Sequence, residues 1–291
     1  MSHESYSVYD LSSGKLLANR FRIGRPLRQN GLMAAFHVTD ADGTAGDLLY
    51  FAPSLFENLE QARTLANSFE SWRRVRHSAV PQVRDVILGG SHALTTGPLL
   101  VFTESAPEET LRKRLEQGRL STDDALRLGR QLVDGLVEIH AHGLVHGDIK
   151  PDTVHVVGEG ATLQGQIVDG GVTPGLWHAK HLGERTALIG TPFYAPAEQF
   201  GGDAPDVQSD IYNLATTLFE AVAGVLPWPG KHFLEVFQAK LDKRPPIVRA
   251  RAPKIAISDS FEDAIARGLM ADRSARFGTA QEFLSALQSA T

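Results

Sequence analysis

The arrangement of hydrophobic and polar positions changes once along this chain. In the first hundred residues, apolar residues come in short runs separated by turn residues, a pattern typical of an antiparallel sheet. One segment differs, because its apolar residues recur every three to four positions and predict an amphipathic helix. The predicted elements are two strands within 20–40 around a turn at 28–31, a strand over 48–52, the helix over 59–72, and strands over 80–88 and 93–102.

After Phe102 the pattern becomes helical. A polar joint over 103–107, which contains a proline, precedes segments whose apolar residues have the helical period. The longest of these segments opens with a serine and an aspartate, Ser121 and Asp124, in the spacing of a helix N-cap. Helices are predicted over 110–117, 121–142, 209–223, 231–243, 260–270 and 279–289, with a short strand over 154–157.

These elements predict an α+β fold with a small β-rich part followed by a larger helical part. The expected boundaries are an N-terminal extension or edge strand over 1–19, a small lobe over 20–102, a hinge over 103–107 and a large lobe over 108–291.

Composition narrows the class of function. The chain has 291 residues, of which 42% are hydrophobic and 22% charged, and this balance is ordinary for a folded globular protein. The net charge is −5 and neither half is basic, so no nucleic-acid partner is expected. Without cysteine the chain has no disulfide or thiolate zinc site. No signal peptide or long apolar run is found, which predicts no membrane segment in this chain and a cytoplasmic location.

The strongest chemical signal is a polar loop over 144–153, in which a histidine, an aspartate and a lysine alternate. Side chains that alternate along an extended loop can act together, whereas a helix would turn them apart. The loop resembles the H-R-D-L-K-P-x-N catalytic loop of protein kinases, with Gly147 in place of arginine and Thr153 in place of asparagine. The resemblance implies that Asp148 is a general base and that Lys150 contacts phosphate.

Further landmarks of the same family follow in order. The segment Ile167-Val168-Asp169-Gly170-Gly171 falls where the family has its metal-binding D-F-G. The segment 190–199 resembles G-T-x-x-Y-x-A-P-E, with proline and alanine exchanged. The resemblance covers about residues 20–290 and is closest to the bacterial serine/threonine kinases. It implies a bilobal protein-kinase-like fold, with a small antiparallel β-rich lobe and a larger helical lobe.

Two structural pairings are also implied by the resemblance. Asp210, at the start of a predicted helix, should accept hydrogen bonds from the backbone near His146. Arg276 should form a buried ion pair with Glu198.

The parts that would handle ATP depart from the family pattern. The family's Gly-rich loop corresponds to the run from Arg28 to Met33, which lacks the three motif glycines. Phe51 stands in place of the strand lysine, and Gln61 in place of its glutamate partner on the helix. With Thr103 and Ser105 of the hinge, Arg28, Phe51 and Gln61 mark the positions of a degenerate nucleotide cleft.

The metal site is half present. Asp169 remains, but the hydroxyl of Thr153 is a weaker ligand for Mg²⁺ than the asparagine carbonyl that it replaces. Gly147 also removes the arginine that would bind a phosphorylated activation loop.

The sequence is therefore interpreted as a pseudokinase, a bacterial signalling domain that acts as a protein-binding or regulatory scaffold. On this interpretation Asp148 and Lys150 are retained as structural residues of their loop, and the partner is a protein. Two alternatives stay open: an active atypical serine/threonine kinase in which Arg28 substitutes for a lost charge, and a sensor of a nucleotide or small ligand. No cofactor is expected, and ATP with Mg²⁺ would bind only under the alternatives.

Overall fold

The structure, a computed structural model, describes residues 11–89, 97–180, 192–230, 232–241 and 244–290. The described chain divides into two compact units. The first contains residues 11–76, 81–106 and 178–180, and the second contains residues 77–80, 107–177 and the described residues from 192 onward. An antiparallel sheet with one helix forms most of the first unit, and helices form most of the second. The predicted α+β class is confirmed.

The first unit is built on one antiparallel sheet, in which the described strands run in the order β1-β2-β3-β4-β6-β5. The segment expected to be an extension or an edge strand supplies β1, and there the side chain of Leu17 is buried. The strands are β1 (Leu16–Leu17), β2 (Phe21–Gln29), β3 (Ala34–Thr39), β4 (Ala45–Phe51), β5 (Val83–Leu88) and β6 (Leu99–Thr103), and the helix is α1 (Leu59–Trp72).

The two faces of β4 pack against different groups, because side chains alternate along a strand. Leu48 and Tyr50 lie in an apolar cluster on one face, together with Phe36 and Phe102. Phe51 points the other way and packs against α1. Tyr50 and Phe51 therefore lie on opposite faces of the strand.

The first turn begins two residues later than predicted, at Asn30. The expected turn at 28–31 is in fact strand as far as Gln29, and Arg28 pairs with Ala35 in the β2–β3 ladder. The reason is a pair of register irregularities on either side of Pro26, which let β2 use more residues than its partner strand. Arg28 is therefore a strand residue rather than the tip of a turn.

The second unit contains a small sheet and helices, some of which lie between the first and second strands of the sheet. The three strands of this sheet pair in the order β7-β8-β9, and β8 coincides with the short strand predicted from the sequence. The elements are β7 (Glu109–Thr110), α2 (Leu111–Glu116), α3 (Thr122–Ala141), β8 (Val154–Val157), β9 (Gln164–Ile167), α4 (Val172–Ala179), α5 (Ala197–Phe200), α6 (Val207–Ala223), α7 (Phe233–Lys240), α8 (Val248–Arg251), α9 (Asp259–Gly268) and α10 (Ala280–Ser289).

Helices α3 and α6 form the centre of this unit. The N-cap predicted for α3 is confirmed, because the Ser121 hydroxyl accepts a hydrogen bond from the Asp124 backbone N–H at 3.0 Å. Helix α6 is buried on all sides from Ser209 to Ala223. It begins two residues earlier than predicted, since Asp206 and Ser209 form a reciprocal capping box. In the described part of the chain, no helix is long and apolar enough to cross a bilayer.

Candidate active site

The loop over 144–153 is fixed by a buried imidazole. The Nε2 atom of His146 lies 2.9 Å from the carbonyl oxygen of Val168, so this nitrogen carries the proton and donates it. The Nδ1 atom accepts a hydrogen bond from the backbone N–H of Asp148 at 3.4 Å. Complete burial lowers the pKa of His146, although nearby carboxylates oppose the effect. A neutral imidazole thus ties the loop to the residue that precedes Asp169.

A buried carboxylate holds the same loop from the other side. Asp210 accepts hydrogen bonds from the backbone N–H groups of His146 at 2.8 Å and Gly147 at 2.7 Å. The Nε2 atom of His140 lies 2.9 Å from the same carboxylate. The pairing predicted for Asp210 is confirmed, and its cause is the satisfaction of a fully buried charge by three donors.

The structure brings Asp148 and Lys150 together. The Lys150 Nζ atom lies 2.6 Å from Asp148 Oδ2, and both side chains are partly exposed. Thr153 supports the pair, because its hydroxyl donates to the Asp148 carbonyl at 2.8 Å and accepts from the Lys150 N–H at 3.1 Å. This geometry orients a carboxylate that could accept a proton, and the Thr153 hydroxyl is engaged with the loop backbone.

Gly147 occupies a position that excludes any other side chain. Its φ angle is +87°, and a Cβ atom there would lie 2.4 Å from Cδ of Pro174. Pro174 belongs to α4, a helix that the sequence did not predict and whose residues 172–177 are all buried. The segment that follows Asp169 therefore packs against the loop as a helix.

Asp169 has an unusual backbone conformation. Its φ angle is +64°, in the left-handed region, which costs most L-residues about 1–2 kcal/mol but is tolerated by aspartate. Among the described residues, no group of three or more His, Asp or Glu side chains could hold a metal ion. The assignment of Asp169 and Thr153 as cation ligands stays a prediction.

In the first unit, an aromatic ring occupies the position that the family resemblance assigns to the strand lysine. Phe51 is fully buried, and its ring centroid lies 5.6 Å from that of Phe69 on α1. Such a tilted aromatic pair is a stabilising core contact. The side chain at this position packs on the helix and offers no positive charge.

Gln61, which the family resemblance aligns with the glutamate partner, forms hydrogen bonds at the start of α1. Its buried side-chain oxygen accepts a hydrogen bond from the Glu57 N–H at 3.0 Å. Its own N–H donates to the Asn58 side chain at 2.9 Å, which is the N-cap contact of the helix. Glu60, the residue before Gln61, is exposed. The amide replaces a carboxylate that would have no lysine to pair with.

The turn that corresponds to the Gly-rich loop satisfies its own N–H groups. Asn30 Oδ1 accepts hydrogen bonds from the backbone N–H of Leu32 at 2.8 Å and of Met33 at 2.9 Å. The Asn30 N–H in turn donates to the Met33 carbonyl at 3.0 Å. These groups are therefore engaged within the turn, whereas phosphate binding by a Gly-rich loop needs N–H groups aimed at the ligand.

Thr103 and Ser105, predicted to mark the hinge side of the cleft, adjoin a histidine and an aspartate. The Thr103 hydroxyl contacts the Glu104 carbonyl at 3.0 Å and the Asp47 carbonyl at 3.4 Å. The Ser105 hydroxyl lies 3.5 Å from His37 Nδ1, which is itself 3.4 Å from the Asp47 carboxylate. Sequence reasoning missed His37 and Asp47, because their proximity arises only from strand register.

The ion pair between Glu198 and Arg276 is confirmed. The Arg276 Nη1 atom lies 2.8 Å from Glu198 Oε1, and the Arg276 side chain is fully buried. Gly190 and Thr191, which open the corresponding motif, lie outside the described residues.

A second charged network, which sequence reasoning missed, joins the loop to α6. The Arg112 guanidinium contacts the Glu220 carboxylate at 2.7 Å and the Tyr194 hydroxyl, and this hydroxyl donates to Glu220. Burial and the Glu220 charge raise the pKa of Tyr194, so the hydroxyl stays protonated. The Arg112 N–H donates to the Pro151 carbonyl at 2.9 Å. No local pattern predicts this network, because Arg112 is 82 residues from Tyr194 and 108 residues from Glu220 in the chain.

Comparison with known proteins places these features in a family. The sequence model of the family described as "Protein kinase domain" matches residues 55–287. The chain is 28% identical over 289 residues to the serine/threonine-protein kinase pkn2 of Myxococcus xanthus, covering 94% of this chain and 33% of that protein. It is 26% identical over 251 residues to the probable serine/threonine-protein kinase PknB of Lactococcus lactis, covering 81% and 38%.

A third relative is the serine/threonine-protein kinase PkaB of Streptomyces coelicolor, with 32% identity over 188 residues that cover 61% of this chain and 43% of PkaB. The chain thus spans between a third and a little over two fifths of the length of these three relatives. The cytoplasmic location inferred from the sequence stays a prediction.

Proposed function

This chain belongs to the protein kinase domain family, and from that premise we propose that it is a pseudokinase, a domain that binds proteins and transfers little or no phosphate. The proposal concerns this domain, since the chain covers only part of the length of its relatives. The activity and partners of any longer protein are not included.

The observation that carries the proposal is the buried contact between Phe51 and Phe69. Phosphoryl transfer depends on positioning and on neutralising the charge of the phosphates, and the strand lysine supplies one of those charges. A phenyl ring packed on α1 cannot supply it. Among residues 11–50, Lys15 is the one lysine, and it lies at the start of the sheet before β1.

Two further replacements agree with the first. Gln61 is engaged at the start of α1, where an active member would keep a glutamate to orient the lysine. Asn30 engages the N–H groups of Leu32 and Met33. Each of the three residues is packed or hydrogen-bonded within the first unit. Together they support the proposal that the phosphate-binding parts have been lost.

The second candidate is an active atypical kinase, and the loop around Asp148 favours it. Lys150 pairs with Asp148, and Asp169 keeps a left-handed backbone that non-glycine residues rarely adopt. Conformations of this kind are concentrated at functional sites. The three relatives compared above are named as serine/threonine-protein kinases, which fits this candidate at least as well as the first.

Thermal melting with ATP tests whether the nucleotide-binding parts are lost. We expect millimolar ATP, with or without Mg²⁺, to leave the melting temperature unchanged. A ligand at 100 times its dissociation constant would add about 2.7 kcal/mol, and each kcal/mol moves the melting temperature of a domain this size by about 2–4 °C. The control is the Asp169→Ala variant under the same conditions. A shift of several degrees that needs Mg²⁺ and disappears in this variant would contradict the proposal and favour a kinase or a nucleotide sensor.

A further inference from the structure

Lys240, at the end of α7, is one of the most completely buried side chains in the described structure. It is only 1% exposed. Lysine is almost never buried to this degree unless its charge is compensated. The ion pairs of Asp148, Glu198 and Glu220 described for the candidate site do not include Lys240. Its burial therefore needs a separate explanation.

The first part of the explanation is a set of three backbone acceptors. The Lys240 Nζ atom donates to the carbonyl oxygens of Pro192 at 3.0 Å, Phe193 at 2.9 Å and Ala195 at 2.5 Å. An ammonium group has three hydrogens, and each has an acceptor here. All three acceptors belong to one short segment, residues 192–195, which leads into α5.

The second part is a cage of aromatic rings. Nζ lies 5.3 Å from the ring centroid of Trp228, 5.4 Å from that of Tyr212 and 5.5 Å from that of Phe200. The rings of Tyr212 and Trp228 are stacked on each other, with centroids 5.7 Å apart. Ring faces attract a cation within about 6 Å, and more strongly when water is excluded. Residues from α5, α6, α7 and the loop after α6 therefore converge on one nitrogen atom.

The cage also affects the proton equilibrium of Lys240. Burial lowers the pKa of Lys240 to about 7, while the negative charge of Glu198 acts in the opposite direction. Burial raises the pKa of both Tyr194 and Tyr212, which stay neutral. Arg276 lies 4.9 Å from the Tyr212 ring and pairs with Glu198. Lys240 is thus the group of this cluster that gains or loses a proton near neutral pH.

We propose that Lys240 is a positioning residue that fixes the backbone of residues 192–195 to α7, and that its protonation state sets how firmly this segment is held. The proposal does not depend on whether the chain transfers phosphate. The segment it concerns lies in the stretch that resembles the end of a kinase activation loop, so its position would matter for a partner as well as for a substrate.

The direction of the pH effect follows from linkage. When the segment opens, Lys240 meets water and regains an ordinary pKa of about 10.4. The closed state therefore binds fewer protons than the open state between these values, and raising the pH favours the closed state. A neutral amine donates two hydrogen bonds instead of three and is no longer attracted by the ring faces, but it also no longer buries a charge. The lowered pKa of Lys240 means that this last effect is the largest. We expect the segment to be held more firmly at pH 9 than at pH 6.

Hydrogen exchange of the amides in residues 193–200 provides the test, after correction for the intrinsic pH dependence of exchange. The corrected rate in the wild type should fall by about 10–100-fold between pH 6 and pH 9. Lys240→Met removes both the donors and the titration, so it should exchange faster than wild type at pH 9 and show no pH trend. Lys240→Arg keeps a cation that cannot titrate and should also lose the trend. The matched control is Lys254→Met, at an exposed lysine of the same unit, which should behave as wild type.

If a variant fails to fold, the pH dependence of the exchange rate in the wild type still tests the proposal. A corrected exchange rate that does not change between pH 6 and pH 9 would overturn the proposal. So would a folded Lys240→Met variant whose profile matches wild type. A pH trend that survives in Lys240→Arg would show that another group carries the titration.

Discussion

The Arg276→Ala variant is expected to lose about 3–5 kcal/mol of unfolding free energy, because it leaves the largely buried Glu198 carboxylate without its main cation. The Arg276 side chain is fully buried, and its Nε and Nη1 atoms also donate to the carbonyl oxygens of Met270 at 3.0 Å and Gln208 at 3.1 Å. Arg273 lies 3.6 Å from Glu198 but is far more exposed, so it can offset only part of the loss. The expected fall in melting temperature is on the order of 10 °C.

The matched control for this variant is Arg267→Ala. Arg267 and Glu282 form an ion pair at 3.5 Å in the same unit, with both side chains about half exposed. Exposed pairs typically contribute up to about 1 kcal/mol, and Arg267 also lies 4.2 Å from the Phe277 ring centroid, so this variant should lose at most about 2 kcal/mol, well below the loss in Arg276→Ala. An Arg276→Ala variant as stable as Arg267→Ala would contradict the buried pairing.

The sequence was sufficient where the signal is local or where a motif fixes two distant positions. Helix α1 has the predicted bounds, Leu59–Trp72, because its apolar stripe marks it in the sequence, and in the structure Asn58 caps its start. The pairings of Asp210 with the His146 loop and of Glu198 with Arg276 were implied by the family resemblance. In these cases the residues that form the sequence pattern are the same residues that make the stabilising contact.

The sequence was insufficient where tertiary contacts override local preference. Helix α4 contains Pro174 and Gly175 and is buried all round from 172 to 177, so no amphipathic period marks it. Lysine is usually a surface residue, so the sequence does not indicate that Lys240 is buried. Its burial depends on backbone carbonyl acceptors about 45 residues earlier in the chain. The misplaced turn near Arg28 arose because a bulge leaves no simple trace in the pattern.

The second large effect is expected at Phe51. Replacing it with lysine, the residue that the family has there, should cost at least about 3 kcal/mol, since the aromatic contact with Phe69 is lost and an ammonium is buried in its place. Gln61 offers no negative charge to compensate. The variant should gain no ATP affinity, because Asn30 still engages the N–H groups of its turn. Chemical denaturation and ATP-dependent melting together measure both outcomes.

The control variant is Phe51→Leu, which stays apolar and should lose only about 1–2 kcal/mol. Equal stability of Phe51→Lys and Phe51→Leu would show that position 51 tolerates a charge. A Phe51→Lys variant that binds ATP would show that one substitution is enough to restore nucleotide binding. That result would contradict the proposal that the replacements at Gln61 and Asn30 also prevent it.

The most direct test of the central claim is phosphate transfer from γ-labelled ATP, to the chain itself and to a general protein substrate, with Mg²⁺ or Mn²⁺. Loss of one charge-stabilising donor commonly lowers the rate by about 10²–10³-fold, and here three parts are replaced, although their effects do not simply add. We predict no incorporation above that of the Asp148→Asn variant. Incorporation in the wild type that disappears in Asp148→Asn would contradict the pseudokinase assignment and establish an active kinase.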